Sequence, residues 1–129
     1  MPGTIRQQYH FKKVDNDVLI WDIHKLIEKS EALEVITIDL SEITELDMTY
    51  WYDEEGDRPT CRSVAQHARL INECDLSHPI ILAADGSVMD GMHRVCKALL
   101  QGKKSIPARQ FNRTPDPDYQ NMRADELPY

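Results

Sequence analysis

Five consecutive residues, Asp90, Gly91, Met92, His93 and Arg94, carry the groups in this chain best suited to handling a phosphate. Arginine and histidine donate hydrogen bonds to phosphate oxygens, and glycine lets the backbone approach a ligand closely. An aspartate can fix the turn or assist a Mg²⁺ ion through its oxygens. Whether these groups converge depends on the elements that flank them.

The hydrophobic period changes on both sides of this pentapeptide. A compact apolar run, Ile80 to Leu82, is followed by the pair Asp85-Gly86 and a second short run, Val88-Met89, which is typical of a β-hairpin. Apolar residues then recur at helical spacing: Met92, Val95, Cys96 and Leu99. A helix N-terminus has unpaired N–H groups and a positive dipole end, so this strand, glycine and helix form a plausible phosphate cradle.

The same residues also have a purely structural interpretation. Asp90 could serve as the N-cap of the helix, with His93 and Arg94 simply solvated. Gly102 ends the helix, because a glycine adopts the left-handed conformation that commonly follows the last turn.

The remaining periodicity predicts an α/β (α+β) fold, a small mixed sheet with flanking helices. The expected strands are Val35–Leu40, Pro79–Ala83, Ser87–Met89 and Ser105–Gln110, and the expected helices are Val18–Ser30, Cys61–Glu73 and Met92–Gln101. Asp17 is the expected N-cap of the first helix, and residues 1–16 show no clear period. On the second helix, a stripe is expected to be buried: Cys61, Val64, Ala65, Ala68 and Ile71. Residues 1–129 are expected to form one domain, with an added helical segment at about 17–30 and an irregular tail at about 112–129.

The sequence Asp-Gly-x-His-Arg at 90–94 carries a family resemblance. With Pro-Ile-Ile before it, and Ala-Leu-x-x-Gly and Ile-Pro-Ala after it, the segment from about Pro59 to Phe111 resembles the ParB N-terminal/sulfiredoxin-like superfamily. The resemblance implies a nucleotide at the strand–helix junction, ATP or another, together with Mg²⁺. It implies catalytic roles for Asp90, His93 and Arg94, and nucleotide contacts from Gly91, Met92, His93 and Arg94.

The helix before the Pro-Ile-Ile strand also carries ligand contacts in sulfiredoxin-like proteins. Their phosphate- and ribose-contacting residues correspond approximately to Arg62, Ser63 and Gln66 in this chain. An ordinary exposed basic face is the alternative interpretation of this side of the helix.

Departures from the family narrow the expected activities. Sulfiredoxin has a nucleophilic cysteine directly before the His-Arg pair, where this chain has Met92, so sulfinic-acid reduction is not expected. No segment for an appended helix-turn-helix domain follows Phe111, so DNA partition is not expected either. The free-serine kinases share the motif more closely but need a carboxylate base, for which the candidates are Glu54, Glu55 and Asp57.

The aromatic and acidic stretch from Thr49 to Thr60 is loop-like in composition. Its aromatics could stack on a base and its acids could hold Mg²⁺, or they could only pin a loop to the core and be solvated.

Composition limits the partners. The chain has 129 residues and a net charge of −7, with 22 acidic side chains against 15 basic ones, which argues against general affinity for nucleic acid. No long apolar run or secretory signal is visible, so a soluble cytoplasmic protein without a membrane partner is expected. Cys61, Cys74 and Cys96 lack metal-site spacing and are expected to be free thiols that mostly pack in the core.

Two functions remain open from the sequence. One is a nucleotide-binding enzyme, a phosphotransferase or nucleotide hydrolase that acts on a small hydroxylated substrate or on the nucleotide itself. The alternative is a non-catalytic module that senses a nucleotide or binds a protein partner, including a second copy of itself.

Overall fold

The computed structural model describes residues 7–52 and 58–129. Its helices are α1 (Ile23–Ser30), α2 (Cys61–Glu73) and α3 (Met92–Leu100). Its strands are β1 (Tyr9–Val14), β2 (Asp17–Asp22), β3 (Ile36–Asp39), β4 (Ile80–Leu82), β5 (Val88–Asp90), β6 (Ser105–Gln110) and β7 (Tyr119–Gln120). Short 3-10 turns lie at Leu40–Glu42, Thr44–Asp47, Tyr50–Tyr52 and Ala124–Glu126.

A four-stranded mixed sheet carries the phosphate-handling segment. Its order is β3-β6-β4-β5, in which β6 pairs with β4 in parallel and the other neighbours are antiparallel. All of these strands lie within a residue or two of their predicted bounds. The prediction of an α+β fold with a small mixed sheet is therefore confirmed.

Strand β4 is buried on both faces, which explains its unbroken apolar sequence. Ile80 and Leu82 pack on one side, in a cluster with Val95 and Ala98 of α3. Ile81 packs on the other side, in a cluster that includes residues of β2 and α1. The sheet therefore lies between α3 on one face and the N-terminal elements on the other.

The predicted hairpin between β4 and β5 is confirmed. Gly86 has φ of +89°, a left-handed conformation, and its N–H donates to the Ala83 carbonyl at 2.9 Å. Asp85 accepts hydrogen bonds from the Ser87 hydroxyl and N–H, and these bonds hold the pKa of Asp85 at about 2. The turn directs β5 back along β4 and brings Asp90 to the start of α3.

The prediction of a helix over Val18–Ser30 was wrong in its first part. Residues Asp17–Asp22 form β2, and α1 begins only at Ile23, where Asp22 rather than Asp17 accepts the N-cap hydrogen bonds. The segment at 1–16, for which no period was seen, contributes β1 as the partner strand. The two-residue turn Asp15-Asn16 joins them, with Asp15 at φ of +55°. The apolar run of β2 is so short that it fits both the helical and the strand period. Pairing with β1 determines that it forms a strand.

The tail at 112–129 is less irregular than predicted. Its strand β7 pairs with β2, which completes a second sheet in the order β1-β2-β7. The Pro115 carbonyl accepts from Trp21 Nε1 at 2.8 Å, and Leu127 is buried. Pairing with β2 and contacts with other distant residues order this segment, such as the Ala84 N–H that donates to Oγ1 of Thr114, because the segment's own sequence carries no strand period.

The predicted buried stripe of α2 was also wrong, since none of the thirteen residues of this helix is buried. Val64 is 51% exposed, and Cys61 is exposed as well, contrary to its expected place in the core. The side turned toward α3 carries Ser63, His67 and Ile71. It shares only Ile71 with the predicted stripe, and its centre lies about a quarter turn from that of the stripe at 100° per residue. Periodicity located an apolar face, but the position of α3 decides which face is covered.

Cys74 and Cys96 are half-buried free thiols, and Cys96 packs against the core as predicted. Within residues 7–52 and 58–129, no helix is long and apolar enough to cross a membrane.

Candidate functional site

Gly91 joins β5 to α3 in a conformation that other residues rarely adopt. Its φ is +108°, and a Cβ built on it would lie 2.6 Å from Cγ2 of Ile80 and 3.0 Å from Nη2 of Arg94. The helix starts immediately after it, with the Val95 N–H donating to the Gly91 carbonyl. Backbone N–H groups of the first turn consequently open beside Gly91 without intrahelical partners.

Arg94 is fixed by hydrogen bonds inside the protein. Nη1 donates to the carbonyls of His78 and Pro79 at 2.9 and 2.8 Å, and Nη2 donates to Oδ2 of Asp90 at 2.8 Å. Its side chain is only 15% exposed. Arg94 therefore links the start of β4 to the end of β5. Its Nε–H and one of its Nη2 hydrogens have no described protein partner.

His93 forms a hydrogen-bonded pair with His67 of α2. Nε2 of His93 lies 2.8 Å from Nδ1 of His67. The indole ring of Trp51 stacks on both imidazoles, with centroid distances of 4.6 Å to His93 and 4.2 Å to His67 and an interplanar angle of 18° in each case. Tyr52 meets His67 edge-on at 5.8 Å. These four rings cover the side of α3 next to its first turn.

Burial keeps this histidine pair uncharged at neutral pH. Burial, with smaller contributions from His67 and Arg94, lowers the pKa of His93 to about 4. Burial also lowers the pKa of His67. One ring must donate the shared hydrogen and the other must accept it, so the two tautomers are linked.

The α2 residues predicted to touch a nucleotide are divided between two faces. Ser63 lies on the inner side, where its hydroxyl is 2.9 Å from the Tyr52 hydroxyl. Arg62 and Gln66 are exposed and lie roughly a third of a turn from that inner side. The structure places Ser63, but not these two, against Tyr52 beside the His67–His93 pair, and the nucleotide contacts of all three residues stay a prediction.

Met92 contributes its backbone rather than its side chain to this site. The side chain is buried in the core cluster beneath α3. A ligand beside Gly91 could contact the Met92 N–H, which belongs to the first turn of the helix.

The junction borders a cavity of about 330 Å³, here named the α3 cavity. Its walls include Leu70, Glu73, Asp90, Gly91, His93 and Arg94. A neighbouring cavity of about 450 Å³ shares Cys74, Asp90 and Arg94 with it and extends along α1 to Arg109. Ionisable side chains of both signs line the groove that the two spaces form: Glu31, Glu73, Asp75, Asp90, His78, His93, Arg94 and Arg109.

The residues that could hold a metal ion are spread apart in the part of the chain that the structure describes. In the ranges 7–52 and 58–129, no group of three or more His, Cys, Asp or Glu side chains is arranged to hold a metal ion. The candidate bases Glu54, Glu55 and Asp57 lie outside the described residues, and so do most of the acids considered for Mg²⁺. The expected Mg²⁺ stays a prediction.

Sequence reasoning missed His67, and it considered Trp51 only as one of the aromatics that could stack on a base or pin a loop to the core. His67 follows Ser63 by four residues and so shares its helix face, which was the available signal. Trp51 comes from a separate turn, and no spacing in the sequence relates it to His93.

Comparison with protein-family models, with curated proteins and with solved structures gave no match to this chain. The likeness to the ParB/sulfiredoxin-like superfamily therefore rests on the motif residues alone.

Proposed function

We propose that this chain is a nucleotide-binding protein that holds a phosphate group in the α3 cavity. The observation that carries the proposal is the position of His93 and Arg94 on the wall of a cavity that opens beside Gly91 at the first turn of α3. Unpaired N–H groups and the positive end of the helix dipole favour an anion there. The motif Asp-Gly-x-His-Arg supports the same assignment by resemblance.

Arg94 would serve this ligand mainly by its fixed position. Asp90 already neutralises its charge at 2.8 Å, so the guanidinium offers a phosphate directed N–H donors rather than a free positive charge. The backbone N–H groups of Gly91, Met92 and His93 supply further donors, as at other helix N-termini that bind phosphate. Such a site depends on geometry more than on net charge, which suits an acidic chain.

The size of the groove fits a nucleotide. Ligand pockets commonly have volumes of about 300–1,000 Å³, and the α3 cavity continues into a second cavity lined by Ile27, Pro79 and Ile81. A phosphate beside Gly91 and a base against these apolar side chains would occupy the two spaces together. ATP or another nucleotide is the proposed ligand, with Mg²⁺ as its counterion.

Phosphoryl transfer or nucleotide hydrolysis is the activity that we propose for this site. Such reactions need positioning and charge neutralisation more than covalent chemistry. Asp90, His93 and Arg94 would be the catalytic residues, with His93 and Arg94 facing the transferred group. Glu73 is a carboxylate of the same cavity that is not held by Arg94, and it is a candidate base for a hydroxylated acceptor.

A thermal-shift panel of ATP, ADP, CTP and GTP, with and without Mg²⁺, tests this function. A ligand at about 100 times its Kd raises the free energy of unfolding by about 2.7 kcal/mol. His93→Gln should weaken the binding of the stabilising nucleotide by about tenfold, whereas His24→Gln, at an exposed side chain of α1, should leave it unchanged. Absence of stabilisation by every nucleotide at millimolar concentration would refute the proposal.

A protein-interaction module is the second candidate, favoured by the apolar flank of α2. Cys61, Val64, Ala65 and Ala68 are exposed on one side of this helix. Light scattering of the wild type and of Val64→Lys tests whether this flank joins two copies of the chain. Nucleotide binding without turnover, together with a dimer that Val64→Lys disrupts, would favour the module over the enzyme.

A further inference from the structure

The imidazoles of His67 and His93 form a unit that can hold one extra proton. Their facing nitrogens are 2.8 Å apart, so a single hydrogen lies between the rings. One added proton gives an imidazolium that donates to a neutral imidazole, which is a stable arrangement. A second added proton would place two cations in contact, so the pair titrates as one group over the ordinary pH range.

Trp51 provides a favourable surface for the singly charged pair. Its ring is nearly parallel to both imidazoles at centroid distances of 4.2 and 4.6 Å. A cation within about 6 Å of an indole face is attracted by the ring quadrupole. The stacking therefore stabilises the charged pair irrespective of which ring carries the proton.

The charged and titratable groups around the pair leave it neutral until an anion arrives. Arg94 on α3 opposes a charge on His93, and burial lowers the pKa of both rings. Asp90 of β5 and Glu73 of α2 line the same cavity as His93, but Asp90 is already paired with Arg94. From the turn at 50–52, Tyr52 adds only a neutral hydroxyl bonded to Ser63.

We propose that the His67–His93 pair takes up one proton from solvent when a tetrahedral dianion, such as the terminal phosphate of a nucleotide, binds in the α3 cavity. The inference rests on the function proposed above. In the charged pair, His93 Nε2–H donates to Nδ1 of His67, and His93 Nδ1 carries the hydrogen available to the ligand. His67 is thus a positioning residue, and the site selects a dianionic terminal phosphate over a monoanionic phosphodiester.

Proton uptake gives binding a defined pH dependence. The bound dianion raises the pKa of the pair, because an opposite charge nearby favours the protonated form. Between the pKa of the free pair and that of the complex, affinity must fall as pH rises, by up to about tenfold per pH unit for one proton. A ligand held only by backbone N–H groups would show no such slope.

Sulfate is the appropriate probe, because it stays a dianion across the range of about pH 5–8 in which histidines titrate. Its affinity for the full chain can be followed through the ring Cε1–H resonances of the histidines by NMR. Sodium chloride keeps the ionic strength constant. We expect sulfate affinity to increase as pH falls, by up to about tenfold per unit, and the His93 resonance to move toward the imidazolium position when sulfate binds.

Variants at His67 separate proton uptake from simple binding. His67→Phe removes the acceptor for His93 and should flatten the pH dependence, whereas His67→Gln retains an acceptor oxygen and should restore part of it. His24→Gln should retain the full slope. Circular dichroism verifies that each variant is folded, and if His67→Phe is not, the wild-type resonances still decide the matter.

Two results would overturn the inference in distinguishable ways. Sulfate binding that is independent of pH would reject proton uptake, and a slope unchanged in folded His67→Phe would reject the part of His67 in it; both results would leave the phosphate site in place. Absence of both sulfate and nucleotide binding throughout this pH range would reject the site, and the inference with it.

Discussion

Replacement of Gly91 by alanine is the sharpest test of the junction between β5 and α3. The positive φ of +108° alone makes an L-residue unfavourable by about 1–2 kcal/mol. The added Cβ would also lie 2.6 Å from Cγ2 and 3.0 Å from Cβ of Ile80, a side chain in the middle of the core. Overpacking of this kind destabilises by about 1–3 kcal/mol, so Gly91→Ala should lose about 2–5 kcal/mol in total.

Gly102→Ala is the matched control, because an alanine there has the strain of a positive φ but makes no close contact with its Cβ. Its φ is +72°, and a Cβ there would meet no atom within 4 Å. It should lose only about 1–2 kcal/mol. Urea denaturation at equilibrium gives both free energies of unfolding, and an unchanged slope with denaturant keeps them comparable. Equal losses in the two variants would show that Gly91 does not approach Ile80 closely.

Three further predictions concern Arg94, acid stability and DNA. Arg94→Ala should destabilise the fold by about 2–4 kcal/mol in urea denaturation, because it removes charged hydrogen bonds and leaves Asp90 unpaired. Arg69→Ala, which breaks an exposed ion pair at 3.8 Å, should lose no more than about 1 kcal/mol. Similar losses in the two variants would contradict a structural role for the Arg94 hydrogen bonds. Burial lowers the pKa of His10 to about 4, below its value in the unfolded chain, so the unfolded state binds more protons. The free energy of unfolding should therefore rise by about 2 kcal/mol between about pH 4 and 6.5. His10→Phe should lose part of that rise in thermal denaturation, and an unchanged pH profile would count against it. Duplex DNA should bind no more tightly than about 10⁻⁴–10⁻⁶ M at physiological salt, and nanomolar, sequence-dependent anisotropy would overturn this.

The segment from Ile80 to Gly102 was predictable because its signals are local. A change of hydrophobic period and glycines at positions of positive φ define the hairpin, the helix start and the helix end without reference to distant residues. The approach of His93 and Arg94 to one cavity follows from that local order. The hydrogen bonds that Arg94 donates to the carbonyls of His78 and Pro79 could not be predicted in this way, since they depend on where β4 begins in space.

The errors arise where a distant partner decides the outcome. The run from Val18 to Trp21 is a strand because β1 and β7 lie on either side of it, and its own pattern suits a helix nearly as well. On α2, the sequence identified an apolar face but not the direction of α3, so His67 was not assigned to the site. The stacking of Trp51 on two histidines joins three separate elements and leaves no trace in sequence spacing.

The pairing of β2 with both β1 and β7 has a consequence for the order in which the chain can fold. Tyr9 donates a hydrogen bond to the Pro128 carbonyl across 119 positions of sequence, and its ring lies 5.2 Å from that of Tyr129. Such distant pairings are slow to form, because a long loop must close before any contact compensates for the lost entropy. The four-stranded sheet, whose hairpin and helix are local, can form first, whereas the three-stranded sheet must wait until residue 120 has been synthesised. During translation, the apolar side of β4 and β5 that β2 and α1 cover would lack part of its final support until the last segment arrives.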